Sequence, residues 1–319
     1  MWSSLVQAWS QPRRVPPAPP DTRAPAESVP EEVSRRVRWL EALTRKLVQE
    51  RFAGQYHAAF KGQGIDFDEV RPYVAGDEVR SVDWRVTART GELHVKRYRE
   101  ERELTVWIVV DISASMRFGS QTQAKSEIAA EIAAVLALSA VRNQDRVGLL
   151  LFDDHVRLRI PPRKGRRHVM RLIGEILRRR PQSQGTDIAP AIDALGKAQR
   201  RRAVVFVLSD FFGEGWSKAM KRLCARHEVI PLVFDDPWEA VLPNVGALMP
   251  VRDLETGCTA WLDLHDARHR AYYEACGRRE RARRDSALAS LQVHPVPVRS
   301  DQAWFEALGK AFQQRGRRR

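Results

Sequence analysis

Three oxygen-bearing side chains stand at two-residue spacing directly after one apolar run of the chain. The run 106–110 is followed by Asp111, Ser113 and Ser115. A short apolar run predicts a buried strand, and ligands of open α/β sheets bind at the carboxyl ends of the strands. Because carboxylate and hydroxyl oxygens are ligands for hard cations, the spacing predicts a cation site at the end of this strand.

Two further oxygen ligands follow later elements of the chain. A second apolar run, 204–208, leads to Ser209 and Asp210, and Thr186 stands in a Gly-Thr-Asp loop before an amphipathic stretch. The predicted ligand set is Asp111, Ser113, Ser115, Thr186 and Asp210. Magnesium prefers near-octahedral oxygen coordination, so five protein oxygens leave a position open.

The open coordination position on the metal ion indicates a binding role for the site. With two carboxylates among neutral hydroxyls, a bound Mg²⁺ or Mn²⁺ ion keeps enough positive charge to attract another acidic group. We therefore predict a protein partner that supplies an Asp or Glu to the metal. The competing interpretation is that Ser113, Ser115 and Asp210 only cap helices or bond loop amides, as Ser and Asp commonly do.

No enzymatic activity is predicted from these residues. A nucleophilic aspartate of the phosphotransfer type needs a second acid two residues on, and Ser113 stands there after Asp111. The sequence also has no Gly-x-Ser-x-Gly elbow and no Cys-His pair to supply another nucleophile. Metal binding without catalysis is the prediction.

The elements that must position these ligands alternate between apolar strands and amphipathic helices from residue 104 onward. The predicted strands are 104–112, 146–152, 156–160, 203–209, 229–234 and 293–298. The predicted helices are 123–142, 166–180, 188–198, 216–227, 266–291 and 301–314. Continuous apolar strands separated by helices predict an α/β fold with a mainly parallel sheet and helices on both faces.

The residues before this α/β domain have a different composition. Prolines crowd 11–30 and predict an extended or disordered lead-in. Apolar residues at helical spacing predict a helix over 31–51, and turn signals around runs at 79–84 and 93–98 predict short strands. The predicted organisation is a lead-in at 1–30, a helix and short-strand segment at 31–100, the α/β domain at 101–314 and a basic tail at 315–319.

The positive charge of the chain suggests an alternative function. The net charge is +14, and half of it lies in residues 266–319. The arginines concerned are Arg278, Arg279, Arg281, Arg283 and Arg284, and then Arg315, Arg317, Arg318 and Arg319. Such groups could bind nucleic acid or an anionic membrane, although no nucleic-acid-binding fold and no interleaved aromatics accompany them.

Composition also restricts the class of protein and its location. The 319 residues, 43% of them hydrophobic, are enough for a sizeable core. Cys224, Cys258 and Cys276 form no CxxC pair and indicate neither a disulfide framework nor a zinc ribbon. No run reaches the roughly 18 apolar residues of a membrane span, and the start lacks a secretory signal. We therefore expect a cytoplasmic protein without a transmembrane segment.

The predicted ligand set resembles the metal-ion-dependent adhesion site of von Willebrand factor A-type domains. That pattern is Asp-x-Ser-x-Ser, a Thr from a later loop and an Asp after a later strand. The matching residues are Asp111, Ser113, Ser115, Thr186 and Asp210. The resemblance implies a Rossmann-like von Willebrand factor A-type fold for the α/β domain.

A second resemblance begins before that domain and extends over about residues 54–319. The residues that carry it are Gly62-Gln63-Gly64-Ile65-Asp66-Phe67, Arg71-Pro72-Tyr73, Gly76-Asp77, Arg80, Val82-Asp83-Trp84, Ala88-Arg89 and Val95-Lys96. They are similar to the signature of the domain of unknown function 58 family. This resemblance implies a MoxR-type AAA+ ATPase as partner, and an adaptor or co-chaperone role in protein assembly or cofactor insertion. Many members also carry membrane-spanning helices near their start, and this chain is expected to depart from that form.

Overall fold

The computed structural model describes residues 29–48, 52–60, 66–99, 103–183, 185–252 and 259–317. Most of the predicted lead-in, the run 61–65, Cys258 and the last two arginines of the predicted tail lie outside these residues. In the described part of the chain, no helix combines the length and the apolar character needed to cross a bilayer.

Helices and strands are interspersed along the described chain, in places with two helices or two strands in succession. The helices are α1 (Val29–Leu47), α2 (Ala53–Phe60), α3 (Trp84–Thr90), α4 (Lys125–Arg142), α5 (Arg166–Arg178), α6 (Ile188–Ala198), α7 (Trp216–Cys224), α8 (Pro237–Ala240), α9 (Ala267–Ser290) and α10 (Trp304–Arg317). The strands are β1 (Asp66–Pro72), β2 (His94–Arg99), β3 (Thr105–Asp111), β4 (Arg146–Phe152), β5 (Val156–Arg163), β6 (Val204–Ser209), β7 (Glu228–Asp235), β8 (Leu248–Arg252), β9 (Thr259–Asp263) and β10 (Val296–Arg299).

The central sheet has the strand order β10-β7-β6-β3-β4-β5 among the described residues. All neighbouring strands are parallel except β5, which pairs antiparallel with β4 at one edge. The predicted α/β class with a mainly parallel sheet is confirmed. All six predicted strands of the α/β domain are present, with ends that differ by up to three residues.

Strand β3 lies in the middle of the sheet and is buried on both faces. Its residues Val106, Ile108 and Val110 enter one core, which α1, α2, α4, α5 and α10 cover. Trp107 and Val109 enter the other core, which α6, α7 and the end of α9 cover. A strand covered on both faces needs apolar side chains at successive positions, which explains the continuous apolar run before Asp111.

The predicted short-strand segment is partly helical. The prediction of a strand at 79–84 is wrong, because Trp84 begins α3 instead. Asp83 caps this helix by accepting hydrogen bonds from the backbone N–H groups of Arg85 (3.0 Å) and Val86 (3.4 Å). Gly91, with φ 78°, ends it in the left-handed region. The N-cap carboxylate stabilises the helix start and outweighs the strand preference of this apolar run, whereas the run at 93–98 does form β2.

Helix α2 is a second helix in the predicted helix and short-strand segment, beyond the one predicted over 31–51. Its Tyr56 and Phe60 are buried in the same core as the sheet. The hydroxyl of Tyr56 donates to Asp145 (3.0 Å), and the ring of Phe60 meets Phe312 of α10 edge-on, with centroids 5.4 Å apart. Core packing therefore crosses the predicted domain boundary at residue 100.

The hairpin of β8 and β9 is an element that the sequence pattern does not reveal. These strands are five residues each, contain Pro250, and lack the long apolar runs of the central sheet. Leu262 and Met249 face inward and pack against Leu242 and Tyr273 in a small separate core. The hairpin follows α8 and thus lies near the carboxyl end of β7.

Candidate metal centre

Parallel pairing brings the two predicted carboxylate ligands to one edge of the sheet. Strands β3 and β6 are neighbours, with Val110 opposite Leu208, so Asp111 and Asp210 emerge at the same carboxyl edge. Both side chains are buried, with 1% of Asp111 and none of Asp210 exposed. The structure therefore places these two predicted ligands at one edge of the sheet.

Asp111 is held by donors from the loop after β3 and from the last residue of β6. The backbone N–H of Ser113 donates to its Oδ1 (2.9 Å), and the hydroxyl of Ser209 donates to its Oδ2 (2.6 Å). The Oγ atoms of Ser113 and Ser115 lie 3.1 Å apart, so three of the predicted ligands share one turn. Since a carboxylate can accept about four hydrogen bonds, Asp111 keeps capacity for a cation.

Asp210 has a buried partner that the sequence pattern does not reveal. Lys125, the first residue of α4, is fully buried, and its ammonium donates to Asp210 Oδ2 (3.0 Å) and to Glu239 Oε1 (2.6 Å). Burial by itself lowers the pKa of Lys125, but the two carboxylates outweigh burial and raise that pKa above its usual value. Lys125 is therefore a permanent cation that ties β6 to α8.

A weak sequence signal for Lys125 exists. The helix macrodipole disfavours a cation at the amino end of a helix, yet Lys125 begins α4, most of whose residues are buried and apolar. A lysine in that position indicates a carboxylate partner in space. The partners are 85 and 114 residues away along the chain, so local patterns cannot identify them.

Carboxylates outnumber cations at this edge. The buried cations there are Lys125 and Arg284, and Arg284 of α9 is already paired with Asp235 (2.8 Å). In the part of the chain that the structure describes, no cation pairs with Asp111. The edge therefore holds two buried carboxylates, of which Asp210 alone is paired with a cation among the described residues.

The protonation of Asp111 reflects this excess. Burial raises the pKa of Asp111 to about 7, the negative charge of Asp210 adds to the rise, and the hydrogen bonds from Ser113 and Ser209 partly oppose it. A divalent cation beside Asp111 would supply the missing positive charge. The donor set of carboxylates and hydroxyls suits Mg²⁺ or Mn²⁺, so the residues present fit such an ion.

The loop that carries Thr186 approaches the same edge. A side-chain carbon at Gly213, in the loop after β6, would lie 3.8 Å from the carbonyl oxygen of Thr186. The loop is anchored by buried Asp153, whose Oδ2 accepts from the N–H of Gln182 (3.2 Å) and whose carbonyl accepts from the N–H of Asp187 (3.0 Å). Asp153 is a positioning residue that motif reasoning misses, because it contributes through hydrogen bonds to a distant loop.

The structure thus groups Asp111, Ser113, Ser115 and Asp210 and places the Thr186 loop beside them; the binding of an ion stays a prediction. The competing interpretation holds in part. Asp111 and Asp210 each accept a hydrogen bond from the backbone N–H two residues later, as Asp does in tight turns. These local bonds leave unexplained why two carboxylates are buried close together.

The arginines of the carboxyl-terminal region are largely paired within the fold. The pairs are Arg278 with Glu274 (3.4 Å), Arg283 with Glu214 (2.5 Å), Arg284 with Asp235 (2.8 Å) and Arg315 with Glu228. Their charges are therefore partly neutralised. This pairing gives no specific support to nucleic-acid or membrane binding by that region, which stays a prediction.

Comparison with known sequences finds a matching family model and a well-covered relative. The model of the family described as protein of unknown function DUF58 matches residues 69–283. An uncharacterized protein of Mycobacterium bovis is 31% identical over 275 residues, which are 84% of this chain and 85% of that protein. The family match contains all five predicted metal ligands.

Two solved structures resemble the chain more distantly. An aerotolerance-related membrane protein from Bacteroides fragilis is 21% identical, with a TM-score of 0.46 and a match covering 68% of this chain and 100% of the other. The SpRpn10 VWA domain is 13% identical, with a TM-score of 0.35 and coverage of 65% and 94%. At these TM-scores we rest the α/β assignment on the sheet order of the chain itself.

Proposed function

The chain belongs to the DUF58 family of proteins of unknown function, and we propose that it acts as a non-enzymatic, divalent-cation-dependent protein-binding module. The observation that carries this proposal is the grouping of Asp111, Ser113, Ser115 and Asp210 at one buried edge where carboxylates outnumber cations. A cation that completes this edge would also be the point at which a partner binds.

The residues of the chain have distinct tasks in this proposal. Asp111 and the two serines would hold the ion, Asp210 and Thr186 would face it from neighbouring loops, and the bound ion supplies a position for a carboxylate of the partner. Lys125 fixes the side chain of Asp210 through a hydrogen bond of 3.0 Å. Charge-assisted bonds of this kind are shorter and stronger than neutral ones.

The proposal excludes catalysis for two reasons. The residue two positions after Asp111 is Ser113, not the second acid that aspartyl phosphotransfer requires. Burial raises the pKa of the half-buried thiol of Cys224, which disfavours the reactive thiolate. Both observations support a binding role.

The partner that we propose is a MoxR-type AAA+ ATPase, with the chain as its adaptor or co-chaperone in protein assembly or cofactor insertion. This choice follows the family resemblance described under the sequence. The proposal includes a cytoplasmic location, where ATP for such a partner is available.

Metal binding is tested first, by isothermal titration of the chelator-treated chain with Mg²⁺ and Mn²⁺. The wild type is compared with Asp111→Asn, which keeps the shape of the side chain and removes its charge. Asp301→Asn is the matched control, because Asp301 lies just after β10 at the same sheet edge and is bonded to Arg299. The proposal predicts saturable binding by wild type and control and none by Asp111→Asn; equal binding by all three contradicts it.

Partner binding is tested by affinity capture from native lysate with the same three baits. Each bait is used in Mg²⁺ and in chelator, and the retained proteins are identified by mass spectrometry. An AAA+ ATPase retained by wild type and Asp301→Asn in Mg²⁺ alone supports the whole proposal. Retention of the same proteins under every condition means that the metal does not mediate docking.

A further inference from the structure

A second group of charges lies at the opposite edge of the sheet from the metal centre. Helices α6 and α7 pack side by side, and each ends just before the start of a parallel strand, β6 or β7. Their carboxyl ends therefore meet at the amino edge of the sheet. The exposed basic side chains there are Lys197, Arg200, Arg201, Arg202, Lys221, Arg222 and Arg226. We call these residues the basic edge.

A groove runs between the two helices at the basic edge. Its volume is about 760 Å³, and the basic residues that line it are Lys197, Arg200, Arg222 and Arg226. Ile192 and Leu223, 1% and 2% exposed, form apolar parts of the lining. A volume of this size falls in the range of small-molecule sites, roughly 300–1,000 Å³.

Most of the charge in the groove is unneutralised. Arg222 pairs with Asp193 at 2.7 Å, and Asp193 is the acidic residue in the lining. Among the described residues, Lys197, Arg200 and Arg226 form no ion pair. The arginines of α9 differ, since three of them bond to carboxylates of the fold. The lining of the groove thus carries net positive charge, with four basic side chains against one carboxylate.

Helix capping explains only part of this group. Cations in the last turn of a helix interact favourably with the macrodipole, which accounts for Lys197 in α6 and for Lys221 and Arg222 in α7. Arg200 and Arg226 lie beyond the helix ends and still face the groove. The helix dipole therefore does not account for Arg200 and Arg226.

We propose that this groove binds a compact ligand with several linked phosphate groups, such as a nucleoside triphosphate or inorganic triphosphate. Arginine guanidinium groups match phosphate oxygens with paired hydrogen bonds, and three unpaired cations suit a short phosphate chain. The exposed large apolar residues of the described chain lie elsewhere, so the groove offers neither stacking platforms for single-stranded nucleic acid nor a membrane-inserting surface.

The test is isothermal titration of the full chain with inorganic triphosphate, ATP and adenosine in excess chelator. The chelator keeps divalent ions away from the metal centre, so the groove is probed independently of the proposed function. The groove variant is Arg200→Glu/Arg226→Glu. Its matched control is Arg278→Glu/Arg279→Glu, an equal charge change at exposed positions of α9.

The proposal predicts that wild type and control bind triphosphate, and that the groove variant binds it at least about tenfold more weakly, a change of roughly 1.4 kcal/mol. Binding of ATP equal to that of triphosphate identifies the phosphate chain as the recognised group, and tighter binding of ATP adds a contact to the nucleoside. Adenosine alone should not bind. Asp111→Asn should bind triphosphate as the wild type does.

Three results would overturn the proposal. The first is no saturable binding of triphosphate or ATP by the wild type at millimolar concentration. The second is equal weakening in the groove and control variants, which indicates a general charge effect. The third is binding of a DNA duplex by the wild type without any binding of triphosphate, because the ligand would then be an extended polyanion.

Discussion

The two edges of the central sheet differ in how their charged side chains are placed. At the carboxyl edge, Asp111, Asp210 and Lys125 are at most 1% exposed, and every one of them is hydrogen-bonded. At the basic edge, Arg200 and Arg226 are exposed and unpaired within the described residues. Both edges belong to the same strands, so the difference comes from what covers each end.

The contrast shows how burial determines the type of site that a fold can hold. A buried charge must be paired or must shift its pKa. The carboxyl edge can therefore hold only a small excess of carboxylates over cations, which a single metal ion would neutralise. An exposed charge is solvated by water and needs no partner, so several like charges can gather. The first edge suits a metal ion, and the second suits a ligand that brings several negative charges.

The largest loss of stability is expected when the buried carboxyl edge loses the ammonium group of Lys125. Lys125→Met removes the ammonium from between Asp210 and Glu239, and a buried ion pair that loses one partner destabilises a protein by about 3–5 kcal/mol. The measurement is the free energy of unfolding from urea titration.

Two further variants make this test specific. Lys310→Met, at an exposed position of α10, should change stability by less than about 0.5 kcal/mol. Lys125→Met/Glu239→Gln should recover part of the loss, because one of the unpaired carboxylates is then neutral. A loss below about 1 kcal/mol for Lys125→Met would show that water reaches this edge.

The buried edge should also make stability depend on pH. In the absence of divalent ions, the folded-state pKa of Asp111 is about 7, above its usual value, so the folded protein holds a proton that the unfolded chain has released. Its contribution to stability is complete below pH 4 and is lost as the pH rises through about 7, at roughly 1.4 kcal/mol per pKa unit.

Urea titrations in chelator between pH 5 and pH 8 measure this effect. The wild type should lose more stability over that range than Asp111→Asn, which has no carboxyl to titrate at that position. With Mg²⁺ present the trend should reverse, because a metal ligand must be deprotonated and the affinity for the ion then rises with pH. Identical pH profiles for the two proteins would show that Asp111 is charged throughout.

A smaller effect is expected from the residue that positions the Thr186 loop. Asp153→Asn keeps the size of the side chain but weakens its bonds to Arg157 and to the N–H of Gln182. Loss of such outer interactions typically lowers metal affinity about 10–100-fold. Titration with Mg²⁺ measures this change, and Asp193→Asn on α6 is the control. An unchanged Mg²⁺ affinity would show that the Thr186 loop does not contribute to ion binding.

The smallest effect is expected on stability at the exposed edge. Arg200→Glu/Arg226→Glu should change the free energy of unfolding by no more than about 0.5 kcal/mol per site, since surface substitutions seldom do more. Its Mg²⁺ affinity should equal that of the wild type, because the two groups of residues lie at opposite ends of the parallel strands. Strong destabilisation would mean that these arginines have structural partners in the fold.

Local patterns predict much of the architecture. The central strands are recognisable because residues such as Val109 and Val207 are buried on both faces and give continuous apolar runs. Helix α3 and the β8–β9 hairpin are not recognisable from the sequence. Helix α3 depends on the capping carboxylate of Asp83, and the hairpin depends on a small separate core. These effects are weaker than the burial of a central strand and leave little trace in residue type.

The amino-acid sequence by itself determines the α/β alternation, the ends of β3 and β6, and the oxygen ligands that follow them, because spacing along a strand dictates which side chains reach its end. Only the tertiary structure decides that Lys125 joins Asp210 to Glu239, that Asp153 anchors the Thr186 loop, and that two basic segments form one groove. These contacts join residues far apart in the chain, so they exist only after the sheet and its helices have packed.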